Sequence, residues 1–328
     1  MHFLDLSLLG TPAWMWAVFL AVVLLLLVLD LGVLHKGARE IGVRESLLLS
    51  AFYIAAGLSF GGWIWHQSGQ QPALEYLTGF VIEKSLAMDN IFVIAMIFSY
   101  FAIPRQYQHR VLLYGILGVL VLRGVMIAGG AALVENFHWV LYLFAAFLVV
   151  TGIRMLFAAD HDAGALENNR LLAFLRRKLP VTKTLDGDSF LVRQPDPATG
   201  RLKTYATPLL LALVMVELAD LVFAVDSIPA IFAITTDPFI VYTSNIFAIL
   251  GLRALYFALA ALIHRFAYLK YALATVLVFV GSKIFVADML GLAKIPPAVS
   301  LGVTLAILAT GIAGSMWATR NGKLAGSP

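Results

Sequence analysis

The sequence lacks cysteine altogether, and it holds few charged residues for its length. Without a thiol, the chain can form neither a disulfide framework nor a thiolate metal site. Only 13% of the 328 residues are charged and 61% are hydrophobic, whereas a soluble domain carries about 25% charged residues. The apolar residues form continuous runs of about 18 or more, and their lack of alternation excludes a transmembrane β-barrel. The composition therefore predicts an all-α, polytopic membrane protein.

The apolar runs predict nine transmembrane spans. The first, from about 13 to 34, follows no basic segment and exceeds the apolar core of a signal peptide, so we expect it to cross the membrane. The other spans are predicted at 46–65, 75–101, 109–133, 138–158, 206–234, 239–263, 268–287 and 297–318.

Lysine and arginine fall in alternate loops. They are frequent after spans 1, 3, 5 and 7 and in the tail, whereas the intervening loops carry almost none apart from Lys294. Cytoplasmic loops carry an excess of positive charge, so we expect the N-terminus outside and the C-terminus in the cytoplasm. This distribution also explains the pI near 9.2 without a nucleic-acid partner.

The spans divide the chain into two membrane portions around one soluble segment. Residues 1–158 hold spans 1–5, 206–318 hold spans 6–9, and 319–328 form a cytoplasmic tail. The segment 159–205 begins with a basic amphipathic stretch and ends in DSFLVRQPDPATGRLKTYATP, where alternating runs around a turn sequence predict a β-hairpin. This segment is either a linker at the inner leaflet or a gating or regulatory element.

Carboxylates occur near the centre of two of the predicted spans. Glu83 and Asp89 lie in FVIEKSLAMDNIF, while Asp220 and Asp226 lie in VELADLVFAVDSIPAIF, with Glu217 one turn before Asp220. An ionised carboxylate at bilayer depth costs several kcal/mol unless it faces a cavity, a cation or a basic partner. These acids therefore indicate a function that involves a positively charged species.

The two acidic spans belong to an internal repeat. Glu83 to Ile91 aligns with Asp220 to Ile228 as an acid followed six residues later by Asp, then Asn or Ser, then Ile. The next spans share Ile-Leu-Gly followed by Leu-Arg, and the third spans share a glycine close to a basic residue. Spans 3–5 thus resemble spans 6–8, and the odd offset of three spans makes the two copies opposite in orientation. Such inverted repeats place a binding site near the midplane and suggest alternating access.

The spacing of the acids limits how they bind an ion. Residues six apart differ by about 120° around a helix and by about 9 Å along it, so an unbroken helix cannot bring both to one ion. Either each acid belongs to a different station along a path, or the helix opens between them. Pro229, three residues after Asp226, would favour opening in the second copy and would expose carbonyl oxygens.

The neighbouring ligand types favour a hard divalent cation. Asn90 and Ser227 follow Asp89 and Asp226 directly. Carboxylate, amide, hydroxyl and carbonyl oxygens suit Mg²⁺, Ca²⁺ or Mn²⁺. Met88 would tilt this set towards Mn²⁺ if its thioether joined the site, although a methionine in an apolar span usually only packs.

Basic residues also occur within the predicted spans. Lys84, Arg123 and Arg253 either neutralise the acids when no cation is bound or form purely structural ion pairs. Asp30, near the cytoplasmic end of span 1, is either part of the ion path or an interfacial acid.

Several of these motifs together resemble the TerC/Alx family of bacterial membrane proteins. The resemblance is carried by VELADLVFAVDSIPAIFAIT, EKSLAMDNIFVIAMIF, LDLGV and GSKI, and it extends from span 1 to span 8. Members are named for tellurite resistance and are linked to manganese efflux. The resemblance implies a location in the bacterial inner membrane. It also implies that the functional acids are Glu83, Asp89, Glu217, Asp220 and Asp226.

We therefore expect a secondary transporter that exports Mn²⁺ against inward proton or sodium flow. Asp89, Asp226 and Asn90 would take the ion, and Glu83, Asp220 and Glu217 would form a second station or carry protons. Mn²⁺ would be cargo rather than a cofactor, the lipid bilayer would be the surroundings, and homo-oligomerisation stays open. The alternatives are a Ca²⁺ or other cation carrier, or an assembly factor for metal loading of secreted proteins or for a tellurite-resistance complex. No nucleophile or protease motif accompanies the acids, so an enzyme is not expected.

Overall fold

The computed structural model describes residues 7–30, 42–157, 177, 180–182, 184–195, 201–259, 269–290 and 296–320. Within its helices, the side chains of residues 88, 89, 92, 226, 259, 269, 270, 319 and 320 lie outside this description. The helices are α1 (Ala13–Leu29), α2 (Val43–Ser68), α3 (Gln70–Tyr100), α4 (Arg105–Asn136), α5 (Val140–Phe157), α6 (Pro208–Phe232), α7 (Pro238–Leu250), α8 (Leu252–Leu259), α9 (Leu269–Met289) and α10 (Pro297–Arg320).

Most of these helices are long and apolar enough to cross a membrane. Seven stretches of the described residues meet that condition, and the fifth along the chain, Pro238–Ala258, joins α7 and α8. Helix α1 is shorter, with 17 residues, and the 31 residues of α3 include Glu75, Glu83, Lys84 and Asp89. The structure therefore confirms an all-α polytopic membrane protein, while the count of nine spans stays a prediction.

Two short antiparallel sheets lie outside the helices. Strands β1 (Ser7–Leu8) and β2 (Thr11–Pro12) precede α1, and β3 (Leu191–Pro195) pairs with β4 (Leu202–Ala206) in the segment where the sequence predicts a hairpin. Thr207, directly after β4, donates its hydroxyl to the carbonyl oxygens of Ser189 and Phe190. The segment before β3 is thereby tied to the start of α6.

The centre of the bundle is formed by α3, α4, α6 and α7. Helix α3 packs against both α6 and α7, and α4 also packs against both, while α5 packs along α9. The predicted repeat makes α3, α4 and α5 equivalent to α6, α7–α8 and α9. Under this equivalence, the contact of α3 with α7 corresponds to the contact of α6 with α4. The same equivalence maps α5–α9 onto itself. This is the packing that the predicted inverted repeat requires, although the repeat itself stays a prediction.

A close approach between α5 and α9 has the same reciprocal form. A Cβ added at Gly152 would lie 2.7 Å from the Ala274 carbonyl oxygen, and one added at Gly281 would lie 2.6 Å from the Ala145 carbonyl oxygen. Each alanine precedes the glycine of its own helix by seven residues. The two helices thus contact each other through equivalent positions, as the subunits of a two-fold symmetric dimer do.

Helix α6 does not open near its acids. It runs without interruption from Pro208 to Phe232 with Pro229 inside it, and α3 likewise continues past Glu83 and Asp89. Pro229 takes from the Val225 carbonyl oxygen its usual helical donor, yet the helix continues past it to Phe232. The hypothesis of an opened helix was therefore wrong, and the alternative, that acids six residues apart belong to different stations, stays a prediction.

Candidate functional site

Arg123 is the centre of a buried polar cluster. Its Nε and Nη2 donate to the two carboxylate oxygens of Asp220 at 3.0 and 3.1 Å, in the bidentate arrangement that gives strong ion pairs. Its Nη1 donates to a carboxylate oxygen of Glu83, to the Ser227 hydroxyl at 3.2 Å and to the Asn245 amide oxygen at 2.8 Å. The side chain is only 1% exposed. One guanidinium therefore joins α3, α4, α6 and α7.

The local sequence places the members of this polar cluster in the middle of the bundle. Glu83, Arg123 and Asp220 lie near the middle of α3, α4 and α6, respectively, in stretches that are mostly apolar. Apolar neighbours keep these stretches helical and within the hydrocarbon layer, where no water satisfies a polar side chain. The polar groups consequently have to satisfy one another across the helix interfaces.

Several polar atoms of this region have no hydrogen-bond partner among the described residues. They are Glu83 Oε2, both carboxylate oxygens of Glu217, Asn90 Oδ1 and Asn245 Nδ2, all shielded from solvent. Asn90 uses its amide nitrogen to donate to Asp220 Oδ1 at 3.3 Å. A buried acceptor without a donor is costly, so the cluster has unused capacity to bind a cation or protons.

Glu217 fits into a depression on α4 that two glycines create. A Cβ at Gly118 would lie 2.5 Å from both carboxylate oxygens of Glu217, and one at Gly115 would lie 3.5 Å from the nearer oxygen. Glu217 also lies one turn before Asp220, close enough for the two negative charges to interact. The missing side chains thus allow a third carboxylate to approach the Arg123 cluster.

A small cavity borders the cluster. Its volume is about 30 Å³, roughly the space that two water molecules or one small ion need. Asn90, Asp220 and Arg253 supply its polar lining, and the rest of the wall is almost entirely apolar.

Arg253 belongs to a second buried ion pair. It donates to a carboxylate oxygen of Asp30, and both side chains are at most 5% exposed. The Tyr53 side chain lies at the same place and hydrogen-bonds with Asp30. Asp30 is therefore buried against the bundle, and its depth in the membrane stays a prediction.

Lys84 is placed differently from the two arginines. Its ammonium group donates to the Ala248 carbonyl oxygen at 3.0 Å, and it lies beside Gly251, where an added Cβ would be 2.6 Å from Nζ. Among the described residues, it therefore bonds to a backbone oxygen, and its predicted neutralisation of an acid is not seen.

The predicted site residues that the structure describes form two clusters, and Lys84 lies outside both. Glu83, Asp220, Asn90 and Arg123 come together, with Glu217 beside them, whereas Asp30 and Arg253 form their own pair across the cavity. The side chains of Asp89 and Asp226 lie outside the described residues. Within the part of the chain that the structure describes, no group of three His, Cys, Asp or Glu residues forms a ready metal site.

The sequence reasoning missed two members of these clusters. Asn245 accepts a hydrogen bond from Arg123, and Tyr53 contacts Asp30. Asn245 could have been found, because Thr243-Ser244-Asn245 is a polar triplet inside an apolar span. Tyr53 carries no such signal, since a tyrosine is common in membrane helices.

Comparison with known proteins gives a consistent result. The family described as "Integral membrane protein TerC family" matches residues 68–323. An "Uncharacterized membrane protein" of Rickettsia bellii is 48% identical over 92% of this chain and 96% of its own length. A protein of Myxococcus xanthus with a similar description, "Uncharacterized membrane protein STKORF319", is 46% identical over 95% of this chain and 94% of its own length.

A third relative carries a more specific description. The "Putative membrane-bound redox modulator Alx" of Escherichia coli is 47% identical over 91% of this chain and 92% of its own length. No solved structure matches the chain. The match over most of the sequence, together with the polytopic helical fold, shows that the chain belongs to the TerC family of integral membrane proteins.

Proposed function

We propose that this protein exports a divalent cation, Mn²⁺ foremost, from the cytoplasm through the acidic cluster at the centre of the bundle. The observation that carries the proposal is a charge imbalance. Glu83 and Asp220 pair with Arg123, and Glu217 lies close to Asp220, so Arg123 supplies one positive charge for three carboxylates. An excess of about two negative charges in a low-dielectric interior is costly unless protons or a divalent cation balance it.

Arg123 acts as an internal substitute for the transported ion in this proposal. Its donors occupy one oxygen of Glu83 and both oxygens of Asp220 in the conformation described. A divalent cation that binds these carboxylates would displace part of this hydrogen-bonding network. Arg123 would re-form the network after the ion leaves, so Glu83 and Asp220 would regain a positively charged partner in the empty site.

Asp89 and Asp226 extend the acidic path along the same two helices. Each follows Glu83 or Asp220 by six residues, which is about 9 Å along a continuous helix. That distance is too long for one ion to contact both members of a pair, and it suits two successive stations. The oxygen-only ligand types of this path favour Mn²⁺, Mg²⁺ or Ca²⁺ over softer metals.

Transport of Mn²⁺ by everted membrane vesicles tests the proposal. Asp89→Asn and Asp226→Asn should each abolish Mn²⁺ uptake into the vesicles and remove Mn²⁺ tolerance from a sensitive host, with normal amounts of protein in the membrane. Glu135→Gln, at an exposed position at the end of α4, is the matched control and should transport normally. Wild-type protein that moves no Mn²⁺ would overturn the proposal. Competition by excess Ca²⁺ decides between the two cations.

Coupling to an ion gradient is a separate part of the proposal. Three carboxylates carry more negative charge than one guanidinium and one monovalent ion would balance. This surplus of negative charge would allow protons or sodium ions to bind in counterflow. Imposed pH and sodium gradients should change the rate of Mn²⁺ uptake into the same vesicles. A rate that neither gradient changes would contradict coupling and leave a uniport mechanism.

The description of the Escherichia coli relative names it a putative redox modulator. This chain has no cysteine, so its own side chains cannot carry out thiol–disulfide exchange. Changing the cytoplasmic amount of a redox-active cation is the way in which a carrier of this kind would influence redox state.

A further inference from the structure

We propose that residues 184–190, directly before strand β3, form a latch that holds α4 and α6 together at the predicted cytoplasmic end of the central cavity and releases them when a cation enters. This inference rests on the proposed function and on the predicted orientation. It assigns to the soluble segment one of the two roles that the sequence leaves open, gating rather than linking.

One side of the latch contacts α4. Arg110 donates to a carboxylate oxygen of Asp188, and its guanidinium lies 5.5 Å from the centre of the Phe190 ring. Tyr114 meets the same ring edge-on, with 5.2 Å between the ring centres. Residues four apart lie on one face of a helix, so Arg110 and Tyr114 both reach the latch from the same side of α4.

The other side of the latch is fixed to the start of α6. The Thr207 hydroxyl donates to the carbonyl oxygens of Ser189 and Phe190 at 2.7 and 3.2 Å. The Thr207 backbone N–H also donates to the Phe190 carbonyl oxygen, at 3.0 Å, and Thr207 directly precedes the first residue of α6. The contacts that Arg110 and Tyr114 make with the latch therefore join α4 to α6.

Helices α4 and α6 belong to different copies of the predicted repeat. Rocking one copy against the other changes the distance between these helices at each end of the bundle. A contact that joins the two copies at one end must consequently open in one of the two states. The latch is such a contact.

The central cavity lies between the same two helices. Leu112 and Val216 are the first residues of α4 and α6 that line it, and they follow the first residues of their helices by seven and eight positions. These separations correspond to about 10–12 Å along each helix. The latch therefore acts on α4 and α6 near the end of the cavity that faces the predicted cytoplasm.

Buried apolar side chains precede the cavity along both helices. Val111, Leu209 and Ala212 are each 0% exposed and belong to one hydrophobic cluster. Val181 and Phe190, from the soluble segment, pack against the same cluster. A hydrophobic constriction of this kind is a barrier to an ion, so this cluster has to part before a cation from the cytoplasm reaches the cavity.

The contacts of the latch are suited to repeated opening. The Arg110 side chain is 32% exposed and that of Asp188 is 53% exposed, and ion pairs exposed to water contribute little to stability. The aromatic and cation–π contacts of Phe190 are also individually modest. Contacts of this strength can break and re-form in each transport cycle, as a gate requires.

Cross-linking tests whether the latch has to open. The chain has no cysteine, so Tyr114→Cys/Phe190→Cys supplies a single pair for a short bifunctional methanethiosulfonate, which reaches the predicted cytoplasmic side directly in everted vesicles. We expect the cross-link to lower Mn²⁺ uptake at least about tenfold and reductant to restore it, because a closed gate blocks entry. Unchanged uptake by fully cross-linked protein would overturn the inference.

Arg193→Cys/Thr204→Cys is the matched control for the cross-link. Arg193 and Thr204 are exposed and lie opposite each other in β3 and β4, so the same reagent joins the two strands without involving α4. Uptake by the cross-linked control should stay within about twofold of that of its reduced form. An equal loss of uptake in both pairs would contradict a latch between α4 and α6.

Labelling of the cavity tests the latch without measuring transport. Leu112 lines the cavity and is 5% exposed, so an impermeant maleimide added to everted vesicles should label Leu112→Cys only while the entrance is open. Arg110→Gln removes the ion pair and the cation–π contact of the latch, and it should raise the labelling rate at least about threefold. Arg193→Gln, which removes an exposed charge on β3, should leave the rate unchanged.

The two measurements separate failure of this inference from failure of the proposed function. Equal labelling rates of Leu112→Cys with Arg110 and with Arg110→Gln would overturn the latch, whether or not Mn²⁺ is transported. A wild-type protein that moves no Mn²⁺ would contradict the proposed function, and the labelling rates would then decide on the latch alone.

Discussion

The hydrogen bonds made by Arg123 require an arginine, and a lysine could not make all of them. Its planar group donates to Asp220, Glu83, Ser227 and Asn245 in one arrangement. An ammonium group has three donors around one nitrogen and cannot reach both oxygens of Asp220 in a parallel pair. The geometry of the guanidinium therefore matters as much as its charge.

Replacing Arg123 should destabilise the protein according to how many of these contacts are lost. We expect Arg123→Gln to lower the free energy of unfolding by about 3–5 kcal/mol, because it leaves buried carboxylates unbalanced. Arg123→Lys should have a smaller effect, because it keeps the charge. Thermal unfolding in detergent measures both, and MnCl₂ should raise the unfolding temperature of Arg123→Gln more than that of wild type. A wild-type unfolding temperature for Arg123→Gln would contradict the central role of this residue.

The lack of a side chain at Gly118 lets the Glu217 carboxylate lie against α4. A substitution at Gly118 therefore tests the position of this carboxylate without changing Glu217 itself. In Gly118→Ala, the new Cβ would overlap the Glu217 carboxylate, which is the flexible end of a side chain and can move. We expect near-normal stability but a loss of Mn²⁺ uptake of about tenfold or more, because the carboxylate is displaced from the cluster.

Gly129 provides the matched control for this substitution. It lies on the same helix, and an added Cβ would have no atom within 4 Å. Gly129→Ala should therefore keep both stability and Mn²⁺ uptake. Equal uptake by Gly118→Ala and Gly129→Ala would show that the position of Glu217 has no influence on transport.

At the scale of the helices, the α5–α9 contact depends on backbone rather than on side chains. The atoms that a Cβ at Gly152 or Gly281 would meet first are carbonyl oxygens of the opposite helix. Such atoms cannot rotate away, so a methyl group at either position requires the helices to separate.

The reciprocal contact predicts matching effects from its two glycines. Gly152→Ala and Gly281→Ala should each lower the free energy of unfolding by about 1–3 kcal/mol. The double variant should lose less than the sum, because the first methyl group already separates the helices. Thermal unfolding in detergent checks this, with Gly314→Ala in α10, where an added Cβ meets nothing within 4 Å, as the control. Strongly unequal effects of the two substitutions would contradict the equivalence.

Hydrophobic runs predicted most helix positions to within a few residues, because length and apolarity decide which segments cross a bilayer. Pro229 shows where this reasoning fails. A proline predicts the loss of one backbone hydrogen bond, here to the Val225 carbonyl oxygen, but α6 tolerates this loss and continues to Phe232. The sequence therefore shows that a hydrogen bond is missing, but it does not show whether the surrounding packing keeps the helix closed.

The sequence predicts which residues belong to the candidate site better than it predicts which of them pair with each other. Acids and bases in apolar spans are readily noticed, and Glu83, Arg123 and Asp220 were all expected to contribute. That Arg123 pairs with Glu83 and Asp220, while Arg253 pairs with Asp30, depends on which helix faces meet. The packing of distant segments decides which faces meet. These helices are apolar all round, so the periodicity of their apolar residues gives little information about those faces.

At the scale of the whole molecule, the distribution of lysine and arginine predicts the orientation in the membrane. The absence of cysteine makes this simple to test with single cysteines at exposed positions. An impermeant maleimide added to intact cells should label Leu8→Cys, before α1, and should not label Asp186→Cys, before β3, until the cells are lysed. Labelling of Asp186→Cys in intact cells would reverse the predicted orientation.

The reciprocal glycine contact has a consequence for motion in the proposed transport cycle. If the two halves exchange conformations between inward-facing and outward-facing states, Gly152 and Gly281 exchange surroundings, and the contact afterwards is the same as before. The contact between α5 and α9 would then be displaced least during the cycle, and the remaining helices would tilt around it. Distances measured between labels on α5 and α9 should stay constant throughout the cycle, while those across α3 and α6 change.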